Sequence, residues 1–333
     1  MADIFDIDFV IPWVDGSDPI WLNTYNHFAH LEDKRYNATG ERFRDWGLLR
    51  FWFRAVEKYA PWVRTIHFVT CGQIPSWLNT THPKLHLVDH DQYLPSRYLP
   101  TFSSDTIDLN FHRIDGLSEH FVYFNDDMFL SAPVQPSDFF IHGLPREMSV
   151  RNHPPRYELG HVVLNDINLI NRNLDFHSGY RKNLWKWYNY RYGLWGLRNL
   201  FFIPYKDFTG MKETHLPYSL QKSTYEIVWD KCGIDLEETS LRKFRSVLNV
   251  NIWLLEYWQV VSGAFFPQNR RFGRLFSVNE TDKIQRCLQR RSYKTICIND
   301  IECMDITNLK ASLHTIFESV FPETCSFEQQ IEE

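Results

Sequence analysis

No stretch of the 333 residues is both long enough and apolar enough to span a bilayer. The most apolar one, residues 251–266, is interrupted by Glu256 and Gln259. A basic leader followed by an apolar run is also missing, because the chain opens acidic, with Asp3, Asp6 and Asp8. Together these absences predict a soluble, unexported protein. Positive charge is not in excess either. Lys and Arg number 36 against 41 Asp and Glu, a net charge of −5, which disfavours a general nucleic-acid binder. The six cysteines include no C-x-x-C pair. Four of them, Cys287, Cys297, Cys303 and Cys325, lie near the end with His314, but the spacings fit no standard zinc pattern. Reduced, structural thiols in a cytosolic compartment are expected. Repeats, low-complexity segments and the hydrolase signatures G-x-S-x-G and H-E-x-x-H are all lacking. What the chain does have is 44% hydrophobic, 16% aromatic and 23% charged residues, which excludes a disordered, collagen-like or coiled-coil protein.

The first 150 residues alternate short apolar runs with longer amphipathic ones. Residues 7–11, 65–70, 85–88 and 121–124 read as strands. Residues 46–59 are apolar at helical spacing and stop before Pro61. Asp15-Gly16-Ser17-Asp18-Pro19 is a strong turn, with Asp18 placed to cap a helix beginning at Pro19. Strand–helix alternation predicts an α/β fold with a parallel sheet, where ligands bind at the carboxyl ends of strands. From residue 151 aromatic-rich helical stretches dominate, including 184–192 and 250–261. The predicted organisation is an α/β core over 1–150 and a helical part over 151–276 completing one catalytic unit. Residues 277–333 read as an appendage, with a final helix near 309–320.

Two polar clusters sit at predicted strand ends. Asn125-Asp126-Asp127 offers adjacent carboxylates to a hard divalent cation, or one carboxylate to an attacking hydroxyl as a base. A simple acidic turn is the competing reading. Trp13-Val14-Asp15-Gly16-Ser17-Asp18 combines a stacking ring, a glycine and a helix start that favours anions. A capped turn explains it as well. His215, fixed before Leu216-Pro217, could serve as acid, base or phosphate partner. Arg44, Arg50, Arg113 and Arg245 match phosphate geometry, although solvated or ion-paired arginines are commoner. Basic clusters at residues 270–274 and 286–294 suit a polyanionic acceptor, an anionic membrane surface or merely a solvated face.

Taken together, these segments resemble a known family. Asp6-Ile7-Asp8-Phe9-Val10-Ile11-Pro12-Trp13-Val14-Asp15-Gly16-Ser17-Asp18-Pro19 resembles the first block of the Stealth family. Arg44-Asp45-Trp46-Gly47-Leu48-Leu49-Arg50, Gly72-Gln73-Ile74-Pro75-Ser76-Trp77, His112-Arg113-Ile114 and Phe124-Asn125-Asp126-Asp127-Met128-Phe129 resemble its second. His215-Leu216-Pro217 and Phe244-Arg245 resemble its third and fourth more loosely.

The resemblance implies a Rossmann-like, GT-A-like nucleotide-sugar fold: a mixed sheet flanked by helices, with a helical, aromatic-rich elaboration. It implies transfer of a sugar-1-phosphate from a UDP-sugar (UDP-GlcNAc or another UDP-hexose) to a glycan or polysaccharide hydroxyl, with Mg²⁺ or Mn²⁺ and release of UMP. It also implies a bacterial cytoplasmic setting, with peripheral membrane association open. On this likeness Asp126 and Asp127 would hold metal. Asp127 or His215 would be the base. Arg245, Arg113 and Arg44 would hold phosphate oxygens, and Trp13, Val14, Asp15, Ser17 and Asn125 would surround the nucleotide. The alternatives are a glycosyltransferase releasing UDP, on the same fold and donor, and a non-catalytic glycan-binding module.

Overall fold

The structure is a computed structural model that describes residues 5–31, 43–156, 158–301 and 305–329, so Cys303 lies outside the described residues. Eleven strands occur among them: β1 (Ile7–Pro12), β2 (Ile66–Thr70), β3 (Leu85–Asp89), β4 (His120–Tyr123), β5 (Met128–Leu130), β6 (Phe140–Ile141), β7 (Leu144–Glu147), β8 (Tyr218–Gln221), β9 (Phe266–Pro267), β10 (Gly273–Ser277) and β11 (Thr295–Asn299). The largest sheet has the order β3-β2-β1-β4-β8. β1, β2, β3 and β4 run parallel, and β8 runs antiparallel to β4. The strand order reverses at β1, so a crevice opens beyond the carboxyl ends of β1 and β4, where open α/β sheets bind ligands. Both polar clusters follow those two strands. The fold is the mixed α/β architecture expected.

Apart from the buried Asp8 and His67, which bond each other at 3.0 Å, the central strands are mostly apolar on both faces because helices cover both. Trp52 and Phe53, from the helix Leu49–Tyr59, are wholly buried against Phe9, Phe68 and Phe124 on one face. Tyr225, from the helix Lys222–Leu241, meets Phe121 on the other. A second sheet has the order β10-β11-β5, with β11 antiparallel to β5.

Two expectations are corrected. The described residues of the 277–333 stretch are built into the core rather than appended to it. β11 pairs with the strand that follows the acidic pair, and Ile298 N donates to Asp127 O at 2.8 Å. Phe317, from the helix Ile306–Val320, packs on Phe51 and Phe129. Glu328 grips the buried Arg54 through bonds of 2.6 and 3.0 Å. Residues 184–192 are not one helix. The helix Leu184–Trp187 ends at Tyr188, and a 3₁₀ segment begins at Tyr190. The side chain of Asn189 accepts from Arg191 N and caps the new segment, an alternative hydrogen bond that competes with continuing the helix.

The interior carries carboxyl groups with little water. Glu147 is buried at the end of β7, and its carboxyl is pushed up to about 8 by desolvation. It shares a hydrogen bond with Glu256, itself raised by burial. A folded pKa above the unfolded value means that folding takes up a proton. The stability Glu147 contributes is therefore complete below about pH 4.5 and drains away as pH rises toward about 8. The expected slope is on the order of 1 kcal/mol per pH unit. Glu147→Gln should flatten the fall in melting temperature between pH 5 and 8. Parallel melting curves for the two proteins would show that this carboxyl does not set the slope.

Candidate active site

The crevice is a cavity of about 780 Å³, walled by the residues after β1, the segment around Phe43–Leu49, the acidic pair after β4, and residues from β11 and its end. Trp13 and Val14 line it, the Trp13 ring stacking on Phe68 at 5.9 Å. Asp15 and Ser17 do not. Asp15 Oδ1 accepts from Ser17 N at 2.8 Å and Ser17 Oγ at 2.6 Å, while Asp15 N donates to Gln73 at 2.8 Å. Asp15 Oδ1 and the Ser17 N–H and hydroxyl are used in building the turn, outside the cavity lining. That turn sends the chain into the helix Pro19–Leu31, capped by Asp18 through Ile20 N and Trp21 N. Gly16 is needed there, since a Cβ would lie 2.3 Å from Phe43 O.

The acidic pair is at the heart of the cleft. Asp127 Oδ2 lies 3.3 Å from His215 Nε2 and accepts from Cys297 Sγ at 3.2 Å. Asp127 Oδ1 is buried without a hydrogen-bond partner among the described residues. Asp126 is open to the cleft yet deep inside it. Desolvation, then the charges of Asp127 and Asp45, raise its carboxyl to about 7, and Arg245 acts in the opposite sense. Tyr123 Oη donates to Asn125 Oδ1 and lies 3.0 Å from Oδ2 of the buried Asp108. His215 holds a left-handed backbone, φ 48°, an uncommon geometry that often marks functional positions. Leu216 anchors it against β10, where a Cβ on Gly273 would meet the Leu216 methyls at 2.6 and 2.7 Å.

The arginines divide. Arg245 lines the cleft with its guanidinium bonded to Ser104 Oγ. Arg44 also lines it, forked onto Asp300 at 2.9 and 3.0 Å and lying over the Trp46 ring. Arg113 is not brought to the site. It is exposed, donates to Asn110 at 2.9 Å and stacks over Trp229, because its 3₁₀ turn faces the helix Lys222–Leu241 rather than the strand ends. Arg50 pairs with Glu328 outside the cleft.

A second cavity of about 1580 Å³ adjoins the first. The two share Ser104, Tyr123, Asn125, His215, Arg245 and Asn299. Its far wall carries Lys212, Arg270, Arg271 and Arg274, so the 270–274 cluster faces the cleft, whereas Arg286, Arg290, Arg291 and Lys294 line neither chamber. Two chambers thus meet at one wall holding a histidine and an arginine.

Sequence reading missed Cys297, Asn299, Asp300, Asp45 and Ser104. Asn299-Asp300 ends a strand in the same manner as Asn125-Asp126, a signal that could have found it. Cys297 carries none, since its place depends on pairing with Met128.

The donor set fits a hard divalent cation. Among the described residues, Asp127, His215 and Cys297 form the one group of His, Cys, Asp and Glu with ligand atoms all within 4.8 Å. An unpartnered buried oxygen on Asp127 and the Asp126 carboxyl, raised by burial and then by its neighbour's charge, are both relieved by a positive ion. Burial first, and then the charge of Asp127, hold the Cys297 thiol well above its ordinary range. It therefore stays protonated and orients the Asp127 carboxylate, which favours carboxylate oxygens over a thiolate as the ligands.

Comparison with known proteins agrees with this geometry. The family descriptions Stealth protein CR1, conserved region 1, and Stealth protein CR2, conserved region 2, match residues 5–28 and 42–147. The chain is 40% identical to the exopolysaccharide phosphotransferase cps2G of Lactiplantibacillus plantarum, over 98% of this chain and 97% of that protein. It is 38% identical to the capsular polysaccharide phosphotransferase WcwK of Streptococcus pneumoniae, over 97% and 99% respectively. It is 39% identical to the receptor polysaccharide phosphotransferase WefC of Streptococcus oralis, over 97% and 99%.

Proposed function

Because this chain belongs to the Stealth family and is a phosphotransferase of that type, we propose that it moves a sugar-1-phosphate from a UDP-sugar to a hydroxyl of a glycan acceptor in polysaccharide synthesis. The observation that carries this reading is the pair of chambers meeting at Asn125, His215 and Arg245. A donor and an acceptor must approach one phosphorus from opposite sides, and two chambers with a shared wall suit that demand.

In this reading the nucleotide occupies the first chamber, with its base against Trp13 and its pyrophosphate near Asp126 and Asp127. The acceptor occupies the second, beneath Arg270, Arg271 and Arg274. His215 reaches both chambers, with Nε2 beside the Asp127 carboxylate. It takes the proton of the acceptor hydroxyl, and Asp127 orients the ring and stabilises the charge it gains. The acceptor oxygen bonds to the β-phosphorus, and the bond from that phosphorus to the bridging oxygen breaks. UMP leaves with that oxygen, while the sugar C1–O bond stays intact. Arg245, on the shared wall, holds a phosphoryl oxygen as charge shifts. Asp126 and Asp127 would hold Mg²⁺ or Mn²⁺, which when bound neutralises the pyrophosphate and stabilises the leaving group.

Donor binding is testable without an acceptor. UDP with Mn²⁺ should raise the melting temperature, whereas UDP alone should not. At a hundredfold excess over Kd the gain is about 2.7 kcal/mol. An equal shift with and without Mn²⁺ would remove the metal from the donor site. No shift in either case would leave the first chamber without a nucleotide role.

A further inference from the structure

The segment from Leu184 to Tyr205 is turned inside out for a protein surrounded by water. Its 3₁₀ turn Tyr190–Leu197 runs directly into the helix Arg198–Phe201. Leu194, Leu197 and Phe201 fall on one face at helical spacing, exposed to 74, 53 and 78%. Tyr190 is 82% exposed, and Trp185 and Ile203 exceed half. Inward, beside the buried Trp187, lie polar groups. Asn199 is wholly buried and donates to Ser149 O at 2.8 Å and Trp187 O at 2.6 Å. Tyr192, also wholly buried, donates to Lys186 O at 2.6 Å. The buried Arg151 holds Phe202 O at 2.8 Å and Asp207 O at 2.7 Å. Polar bonds therefore fix the backbone in place while large apolar side chains are displayed. So many large apolar side chains exposed along one short segment mark a contact site.

Charge identifies the partner. In a protein of net charge −5, residues 176–206 contain six Lys and Arg and no Asp or Glu. Of these, Arg181, Lys182, Arg198 and Lys206 are exposed around the apolar face. Tyr, Trp, Phe and Leu interspersed with basic side chains, in a stretch bounded by the exposed Asp175 and Asp207, match the interface of an anionic bilayer, where amphipathic rings sit at headgroup level and cations meet acidic lipids. No helix among the described residues is long and apolar enough to cross a membrane, so contact of this kind would be made from one side. We propose that residues 184–205 dock the protein on the surface of an anionic lipid bilayer. The surface is distinct from the basic cluster at residues 286–294. It borders the second chamber: Arg270 N donates to Arg191 O at 3.1 Å, and Trp195 and Arg270 both line that chamber. Docking thus sets the chamber's arginine wall beside the lipid headgroups.

Flotation of the full chain with vesicles tests this. Vesicles of phosphatidylglycerol and phosphatidylcholine in equal parts should carry the protein upward at low salt, and pure phosphatidylcholine should carry far less. Leu194→Ser with Phe201→Ser should lower vesicle affinity about tenfold or more, since two buried apolar side chains are lost. The melting temperature should not fall, because both residues are exposed. Arg198→Glu with Lys206→Glu supplies a second variant that should also release the protein, through charge alone. Failure of the wild-type chain to float with either vesicle would overturn the proposal. So would flotation that neither variant changes. A dimer in sedimentation velocity that Leu194→Ser with Phe201→Ser abolishes, without vesicle binding, would assign the surface to a second copy of the chain instead.

Discussion

Asp127→Asn is expected to lower transfer by about a thousandfold or more while leaving the melting temperature unchanged or higher. Asp127 lies on the wall of the donor chamber, with one carboxylate oxygen toward His215 and Cys297 and the other buried and unpartnered. Asparagine keeps the shape and one acceptor oxygen, so Cys297 and His215 retain a partner. What it removes is the negative charge, and with it the cation ligand and the partner of a protonated His215 that the proposed reaction requires. That same charge helps raise the Asp126 carboxyl to about 7, so the native fold bears a like-charge cost here. Its loss should relieve Asp126 and spare the fold. Parallel measurement of transfer rate and melting temperature checks the claim. A variant that remains active would show that Asp127 is an ordinary polar turn, and a variant that is inactive and unfolded would show a structural role.

His215→Asn is expected to reduce kcat by on the order of 10²–10⁴, with a much smaller change in KM for the donor. Asparagine is the informative choice. The backbone at residue 215 has φ 48°, a left-handed geometry that Asn accepts more readily than most residues. The substitution therefore deletes the proposed base without adding backbone strain, and Leu216 remains seated against β10. A drop confined to kcat assigns His215 to the chemical step. A rise in donor KM with unchanged kcat would make it a binding residue, and the base would then have to be Asp127. An unaffected enzyme would remove His215 from the reaction.

Local pattern carried much of the fold. The strands after which the site is built, β1 and β4, are apolar runs ending abruptly in polar residues, and that abruptness is visible without coordinates. Helix Leu49–Tyr59 was legible from spacing, and Asp18 from its place before Pro19. The pairing of β11 with β5 was not legible. It joins residues 170 positions apart, as in Cys297 to Asp127, and nothing in the periodicity of either strand names its partner. For that reason residues 277–333 read as an appendage although they supply Asn299 and Asp300 to the cleft. The acidic pair and His215 stood out by residue type and lie together. Asp15 and Ser17 stood out equally, but short polar side chains in a turn tend to bind their own backbone, and these do. Arg113 shows the same limit for arginine: side-chain direction followed its 3₁₀ turn, not its distance in sequence from β4. Residues 184–192 read as an aromatic-rich helical stretch of the part completing the catalytic unit. Only the buried contacts of Asn199, Tyr192 and Arg151 reveal that its apolar side faces out.

The central claim concerns which bond breaks, and the nucleotide product reports it directly. The purified chain would be incubated with a panel of UDP-sugars, Mn²⁺ and oligosaccharide acceptors, and the products resolved by mass spectrometry. Attack at the β-phosphorus predicts UMP in step with a product whose mass has grown by a sugar phosphate. Release of UDP with a product grown by the sugar alone would mean attack at C1, and would contradict sugar-1-phosphate transfer at this site.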